Sequence, residues 1–333
     1  MAETLDVPDA AAAVAAYARD VQALRDEIGR VIVGQAPVVD AAILALFAGG
    51  HLLLEGAPGT GKTLLVRTLA AALDLDLGRI QCTPDLMPAD VVGTYLVEER
   101  DGRREFTFRQ GPVFAHLVLA DEVNRATPKT QSALLEAMQE HQVTAGGKTF
   151  PLPDPFVVLA TINPIEMEGT YPLPEAQLDR FLLKVLVPGP SPAEIEAILD
   201  RTTGAAVPQA RRVLDGERVR AMRALAREVP LGSRVRAWIA RLVAATRPDA
   251  KEAGPLVKRY VRYGASARAA QALALGGKHL APAAGRAAVA RDDVRTLAHA
   301  ALRHRIVLSF EAEAEGIAPD ALVDEALDRA GKG

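Results

Sequence analysis

A glycine-rich stretch near residue 60 carries the residue types that hold a polyphosphate. The run GAPGTGKT, residues 56–63, ends in Lys62 and Thr63. Its glycines let the backbone curl until N–H groups face phosphate oxygens, while the lysine neutralises the β- and γ-phosphates and the threonine hydroxyl holds Mg²⁺. We therefore expect ATP and Mg²⁺ as cofactors. The predicted nucleotide-binding residues of this loop are Gly56, Ala57, Pro58, Gly59, Thr60, Gly61, Lys62, Thr63 and Leu64.

A pair of carboxylates follows another apolar run, His116 to Ala120. Asp121 would stand at the end of a strand, where it can bind the Mg²⁺ that Thr63 also holds. Glu122 would orient and deprotonate the attacking water as a general base. The alternative is a solvated strand end, which the upstream phosphate loop disfavours. The pair predicts hydrolysis as well as binding.

An asparagine ends the next apolar run, Phe156 to Ile162. Asn163 could hydrogen-bond the γ-phosphate or the water that attacks it. Because asparagine before proline is also a common turn signal, Asn163-Pro164 alone would not distinguish the two interpretations. The order of the strands favours a functional asparagine.

Arg180 stands where a predicted helix leads into one further apolar run, residues 182–187. Its planar and permanently charged guanidinium suits contact with the oxygens of a transferring phosphoryl group. The alternative is a local ion pair with Asp179 or Glu175. Sequence spacing does not choose between these two roles.

These residues need a sheet that brings them to one place. Short apolar runs that alternate with helical patterns are typical of buried parallel strands, so we predict an α/β three-layer domain preceded by an amphipathic helix over residues 9–30. Two segments interrupt the alternation as predicted hairpins, one turning at Asp101-Gly102 and one at Gly146-Gly147. They could cover a sheet edge or contact a substrate. The strand-like runs are His51–Leu54, Gly78–Cys82, His116–Ala120 and Phe156–Thr161.

A domain boundary is predicted after residue 187, where the chain reads VPGPSPAE. Ser191, Pro192 and Glu194 form the pattern of a helix start, with serine as cap, proline in the first turn and glutamate three residues after the cap. The sequence beyond is helical in pattern. We predict residues 1–187 as the sheet domain and residues 188–333 as a small all-α lid with Trp238 in its core.

Composition limits the classes of protein to which the chain could belong. The 333 residues are 49% hydrophobic, with a formal charge of −3 and a pI near 6.1, so no overall basic field favours nucleic acid or an anionic membrane. A single cysteine excludes an internal disulfide framework. Residues 1–6 lack the pattern of a signal peptide, and no apolar run reaches the length of a membrane span. These features predict a cytoplasmic protein.

The pattern resembles the MoxR family of AAA+ ATPases over roughly residues 20–312. The resemblance is carried by GAPGTGKT, by FRQGPVFAHLVLADEVNRATPKTQSALLEAMQEHQVT and by LATINPIEMEGTYPLPEAQLDRFLLK. It continues in GASARAAQALALGGKHLA and LRHRIVLSF. The fold that it implies is a P-loop AAA+ sheet domain followed by a helical lid.

The resemblance also implies roles for individual residues. Val33-Gly34-Gln35 would lie on the adenine side, Asn163 would be sensor 1, and Arg180 would be the arginine finger offered to the neighbouring subunit. Arg268 would be the sensor-2 arginine, in cis or in trans, unless it is a solvated helix charge. The lid motif departs from the usual pattern because Ala267 stands where proline is common.

At the level of function, the resemblance implies a chaperone-like ATPase that remodels or matures partner proteins. It further implies a homo-oligomer, expected as a hexamer, and a partner carrying a von Willebrand factor A domain, with the two hairpins lining a central pore. The alternatives are a motor of the related helicase branch, a magnesium-chelatase-like subunit and a nucleotide-gated scaffold. Modest acidity argues against the motor, and Glu122 argues against the scaffold.

Overall fold

The computed structural model describes residues 7–100, 103–165, 169–204 and 208–331. The predicted turn at Asp101-Gly102 lies outside the described residues. The helices are α1 (Val7–Val31), α2 (Ala36–Ala48), α3 (Lys62–Leu73), α4 (Pro88–Val92), α5 (Pro128–Glu140), α6 (Glu175–Leu178), α7 (Pro192–Thr202), α8 (Gly216–Glu228), α9 (Ser233–Ala245), α10 (Pro255–Tyr260), α11 (Ala267–Ala283), α12 (Arg291–Leu302), α13 (Phe310–Glu315) and α14 (Pro319–Gly331). The strands are β1 (Leu52–Glu55), β2 (Leu77–Gln81), β3 (Gly93–Arg100), β4 (Arg103–Gln110), β5 (Leu117–Asp121), β6 (Gln142–Ala145), β7 (Lys148–Pro151), β8 (Val157–Ile162), β9 (Leu183–Leu186), β10 (Val261–Tyr263) and β11 (Val307–Leu308).

Five parallel strands form the central sheet in the order β2-β5-β8-β1-β9. The predicted apolar runs are these strands, which confirms the α/β fold class. Because all five strands run the same way, they begin at one end of the sheet and finish at the other. We call these the amino end and the carboxyl end.

Helices cover both faces of the sheet. Leu52 and Leu54 belong to one hydrophobic cluster, while Leu53 belongs to a second cluster on the opposite face. Successive side chains of a strand point to opposite faces, so a strand buried on both sides is a continuous run of leucines. This is the three-layer arrangement that the sequence predicts.

Two hairpins project from this domain. Strands β3 and β4 pair antiparallel, as do β6 and β7, whose turn at Gly146 and Gly147 has positive φ angles of 56° and 74°. The hairpins touch each other, since Phe108 of β4 stacks on Phe150 of β7 with 4.3 Å between ring centroids, and the Tyr95 hydroxyl of β3 donates to the Ala145 carbonyl oxygen of β6 at 3.4 Å. The two insertions are therefore packed as one unit.

The part of the chain after β9 is helical, and its start carries the predicted capping box of Ser191 and Glu194. Trp238 is fully buried, as predicted. The short antiparallel ribbon that β10 and β11 form within this helical part was not predicted. The boundary at residues 187 and 188 stays a prediction.

Helix α1 packs across both parts. Its Tyr17 hydroxyl bonds His279 of α11, and the same hydrophobic cluster runs from α1 and α2 through α11 and α12. Of the described helices, none combines the length and the apolar character that crossing a membrane requires.

Candidate active site

The phosphate loop connects β1 to α3 at the carboxyl end of the sheet. Gly59 and Gly61 both have φ of 78°, a conformation that side chains with a Cβ rarely adopt. A Cβ on Gly56 would lie 2.7 Å from the Val187 carbonyl oxygen, so only glycine fits beside the end of β9. Lys62 folds over the loop and donates to the carbonyl oxygens of Gly56 and Ala57. Burial lowers the pKa of Lys62, and the Asp121 and Glu122 carboxylates act in the opposite direction.

The two predicted Mg²⁺ ligands converge. Thr63 Oγ1 lies 3.5 Å from Asp121 Oδ2, and both oxygens face the loop. A hydroxyl and one carboxylate fit Mg²⁺, which prefers oxygen ligands and keeps several waters when phosphates are also bound. Arg79 of β2 also reaches Asp121, at 3.2 Å. The donor set therefore suits the predicted ion.

Thr161 of β8 connects the two acidic residues. Its hydroxyl donates to Asp121 Oδ1 at 2.8 Å and accepts the Glu122 backbone N–H at 2.8 Å. Glu122 has φ of 55°, an unusual conformation for a residue with a side chain, and its carboxylate also meets Arg125 at 3.1 Å. The hydroxyl thus stabilises the turn that directs the Glu122 side chain.

Asn163 lines the same cavity with an unused donor. Its Oδ1 accepts the Ile165 N–H at 3.1 Å, whereas its buried Nδ2 has no hydrogen-bond partner among the described residues. Leaving a buried amide donor unpaired costs free energy, which a phosphate oxygen or a water would restore. The cavity measures about 380 Å³ and is lined by Pro58, Gly59, Thr60, Gly61, Lys62, Thr63, Leu64, Asp121, Glu122, Thr161 and Asn163.

The segment Val33-Gly34-Gln35 lies beside the loop. Gln35 Nε2 donates to the Thr60 carbonyl oxygen at 2.7 Å. The Glu194 carboxylate of α7 approaches Gly34 so closely that a Cβ there would overlap it. This contact brings the start of the helical part against the segment proposed for the adenine.

The remaining two predicted residues lie elsewhere. Arg180 and Arg268 line a separate cavity of about 220 Å³, together with Gly50 and His51. His51 precedes β1, whereas Gly56 follows it, so the arginines lie at the amino end and the phosphate loop at the carboxyl end. Four residues of strand, at about 3.3 Å each, separate the two ends by roughly 13 Å. Within one chain the structure does not bring these arginines to the loop.

Within the described part of the chain, Arg180 forms no ion pair with Asp179 or Glu175, and Asp179 has other partners. Arg180 donates to the Leu135 carbonyl oxygen at 2.8 Å. Asp179 instead binds Arg305 at 2.8 Å and Arg268 at 3.5 Å. Arg268 is therefore paired rather than a freely solvated helix charge.

Sequence reasoning missed Thr161, Asp179 and Arg305. Thr161 could have been found, since it stands two residues before Asn163 and strand residues two apart share a face. Asp179 was considered only as a partner of Arg180. Arg305 gave no signal beyond its place in the run LRHRIVLSF, because its partners are far away in the sequence.

Comparison with known proteins agrees with this geometry. Residues 51–183 match the profile described as ATPase family associated with various cellular activities (AAA), and residues 253–326 match an AAA lid domain. The chain is 43% identical to Chaperone MoxR1 of Mycobacterium tuberculosis over 320 residues, which covers 96% of this chain and 84% of that protein. It is 32% identical to Protein MoxR of Paracoccus denitrificans, covering 89% of this chain and 91% of that one. A solved structure from Cytophaga hutchinsonii superposes with a TM-score of 0.89 at 41% identity, covering 95% of this chain and 96% of that chain.

Proposed function

The chain belongs to the MoxR family of AAA+ ATPases, and we propose that it hydrolyses ATP at sites completed by two neighbouring subunits. One subunit supplies the phosphate loop, Asp121, Glu122 and Asn163. The next subunit supplies Arg180 and Arg268. In this proposal a single chain holds two half-sites and no complete one.

The separation of the two ends of the sheet carries this proposal. The cavity at the carboxyl end holds the phosphate-binding loop and the carboxylates, while the two predicted arginines line the cavity at the amino end. Stacking subunits so that one amino end faces the next carboxyl end would unite them. This is a head-to-tail contact, which closes into a ring when the rotation between subunits permits.

The chemistry of the carboxyl end follows from its contacts. Lys62 would leave the loop carbonyl oxygens and pair with the β- and γ-phosphates, since a phosphate is the stronger acceptor. Glu122 would take the proton of the attacking water, with Asn163 Nδ2 holding that water or the γ-phosphate. Mg²⁺, bound by Thr63 and Asp121, would offset the charge on the phosphates.

Arg180 has capacity left for a phosphate of the neighbour. One guanidinium nitrogen donates to Leu135, while its buried Nε has no partner among the described residues. Buried charged groups are normally fully paired, so an incompletely paired arginine favours a ligand outside the chain. A neighbouring subunit's γ-phosphate fits this requirement.

We extend the proposal to the work done by the ring. Chaperone MoxR1 is called a chaperone, and this name supports protein remodelling by the present chain. The hairpin pair Val97 and Phe106 is 56% and 75% exposed, which suits contact with an apolar polypeptide. A hexamer, a von Willebrand factor A domain partner and a cytoplasmic location remain part of the proposal. The weakly acidic charge disfavours the nucleic-acid motor.

Two measurements test the proposal. The first is ATP turnover as a function of protein concentration, and the second is ATP turnover in an equal mixture of the Lys62→Ala and Arg180→Ala variants. Each variant alone should be inactive, because one lacks the phosphate contact and the other lacks the neighbour's arginine. In the mixture, a Lys62→Ala subunit can supply its intact arginines to the intact phosphate loop of a neighbouring Arg180→Ala subunit. Turnover per subunit should rise with concentration, and the mixture should regain part of the wild-type rate.

The opposite result has a clear meaning. Turnover that is independent of concentration, with no recovery in the mixture, would show a self-sufficient monomeric ATPase. Arg180 would then be a structural residue, and the ring would be withdrawn. As a control, each variant is mixed with itself at the same total concentration.

A further inference from the structure

Arg305, just after α12, holds the backbone next to Arg180 from within the core. Only 7% of this residue is exposed. Its guanidinium donates to the carbonyl oxygens of Asp179 at 3.1 Å, Phe181 at 2.6 Å and Leu182 at 3.1 Å. A fourth bond, to Ala301 of α12, ties the same side chain to the lid. The three residues that surround Arg180 are thus fixed to the lid by one arginine.

The Asp179 carboxylate extends this connection to Arg268. Its Oδ1 accepts from Arg305 Nε at 2.8 Å, and its Oδ2 accepts from the Ser266 hydroxyl at 2.9 Å. Arg268 lies 3.5 Å from the same Oδ2. Ser266 caps α11, the helix that carries Arg268. One carboxylate therefore links the segment of Arg180 to the start of the Arg268 helix.

Arg305 bears on geometry as well as on stability, because removing one partner of a buried ion pair leaves the other charge unpaired. Burial lowers the pKa of Arg305, while the hydrogen bond and the charge of Asp179 oppose that change. A buried ion pair contributes little net stability, because desolvation offsets the attraction between the charges. What it fixes is orientation, through a planar fork with several donors at set angles.

We infer that Arg305 is a positioning residue, which with Asp179 holds Arg180 and Arg268 in one fixed arrangement toward the neighbouring subunit's phosphates. The inference rests on the proposed two-subunit site. According to this inference, Arg180 and Arg268 form a single unit that moves with the lid. A lid movement would then shift both arginines together against the neighbour's nucleotide.

The test uses the full chain with Arg305→Met, which keeps an unbranched side chain and removes all the donors. The phosphate loop that binds ATP is unchanged and the arginines act on charge that develops during phosphoryl transfer, so KM for ATP should stay within about twofold of wild type. Its kcat should fall about tenfold to a hundredfold, as expected for a misplaced catalytic group. Because unfolded protein would also lower the apparent kcat without changing KM, the folded fraction is measured by circular dichroism and kcat is expressed per folded subunit.

A mixture then assigns the defect to the neighbour's site. Combined equally with Glu122→Gln, the Arg305→Met subunit contributes an intact loop and the Glu122→Gln subunit contributes intact arginines. About a quarter of the interfaces should be functional if subunits assemble at random in a ring, and turnover should recover accordingly.

Arg303→Met is the matched control. Arg303 is also largely buried and also ion-paired, with Asp320 at 2.8 Å, but it bonds the Lys184 carbonyl oxygen rather than the segment around Arg180. Its variant should retain near wild-type kcat. If Arg305→Met is unfolded by circular dichroism, Asp179→Asn replaces it in the same mixture.

Three results would overturn the inference: unchanged kcat in Arg305→Met, an equal loss in Arg303→Met, or no recovery in the mixture. The mixture of Lys62→Ala with Arg180→Ala separates the two proposals. If turnover recovers in that mixture but not in the mixture of Arg305→Met with Glu122→Gln, only the positioning role of Arg305 is excluded. Absence of recovery in both would remove the two-subunit site itself.

Discussion

The two ends of the central sheet are built in different ways. At the carboxyl end, the residues that line the cavity come from short stretches at the ends of strands, namely residues 58–64, residues 121–122, Thr161 and Asn163. At the amino end, Arg180 and Arg268 are held by Asp179 and by Arg305 from the lid. The first end is fixed by the sheet, and the second depends on where the lid lies.

This difference shows where regulation can act. A loop between a strand and a helix changes little when other parts move, so the phosphate contacts should be less sensitive to the lid than the two arginines are. The arginines sit on a junction between sheet and lid, and in the proposed ring small shifts there would change their distance to the neighbouring subunit. Binding and hydrolysis would then respond to different parts of the same chain.

Glu122→Gln should produce the largest effect and tests the carboxyl end. Turnover should fall by about a thousandfold, because the amide cannot accept the proton of the attacking water. ATP affinity should persist, since the loop is unchanged. Equilibrium binding of a fluorescent ATP analogue and steady-state turnover measure the two quantities. The control is Glu228→Gln at the end of α8, and substantial turnover in Glu122→Gln would remove the assigned base.

Arg268→Ala tests the amino end and should cost about tenfold to a hundredfold in kcat, the value of a charge-assisted hydrogen bond. The phosphate loop that binds ATP is unchanged, so ATP affinity should fall far less than kcat, and mixing with Glu122→Gln should restore turnover. The exposed Arg262 of β10 provides the control substitution. Weakened ATP binding without recovery would instead place Arg268 at its own subunit's nucleotide and would break the comparison.

Thr161→Val should cost about tenfold in turnover, because the isosteric side chain cannot bridge Asp121 and Glu122. Thr130→Val is the matched control, since Thr130 is similarly buried and donates its hydroxyl hydrogen to Leu86 away from the cavity. Both variants should remain folded in thermal unfolding. Equal turnover in the two would show that the bridge has no catalytic consequence.

Mild acid should lower the free energy of unfolding through buried histidines, namely His51 and His304 near the amino end and His279 of α11, whose pKa burial lowers to about 3. Burial lowers the pKa of His51 to about 4, where its Nδ1 accepts the Val158 N–H, and burial holds the pKa of His304 well below its usual range. Because the folded pKa lies below the unfolded value near 6.5, the unfolded chain takes up protons first as the pH falls. Each histidine should remove up to about 1.4 kcal/mol of stability per pH unit below about 6.5, until its folded pKa is reached.

Thermal unfolding between pH 7 and pH 5 measures this loss. His304→Gln keeps a donor for the Phe181 carbonyl oxygen and should flatten the pH dependence. An identical slope in the variant would show that His304 does not titrate in this way.

Much of the fold and of the carboxyl end could be predicted because local sequence specifies them. The phosphate loop is eight consecutive residues, and each buried strand is a visible apolar run. The amino end could not be predicted in the same way, since Asp179 and Arg305 meet across 126 residues. Whether an arginine binds a phosphate or a nearby carboxylate depends on contacts that only the folded chain creates.

The packing of α1 has a consequence for how the protein is made. Tyr17 precedes its partner His279 by 262 residues, so it is synthesised well before that partner. A contact between residues so distant cannot form until most of the chain has been synthesised. The part of α1 that packs on α2 and α3 can be covered early, but the part that packs on α11 stays exposed until that helix has been synthesised.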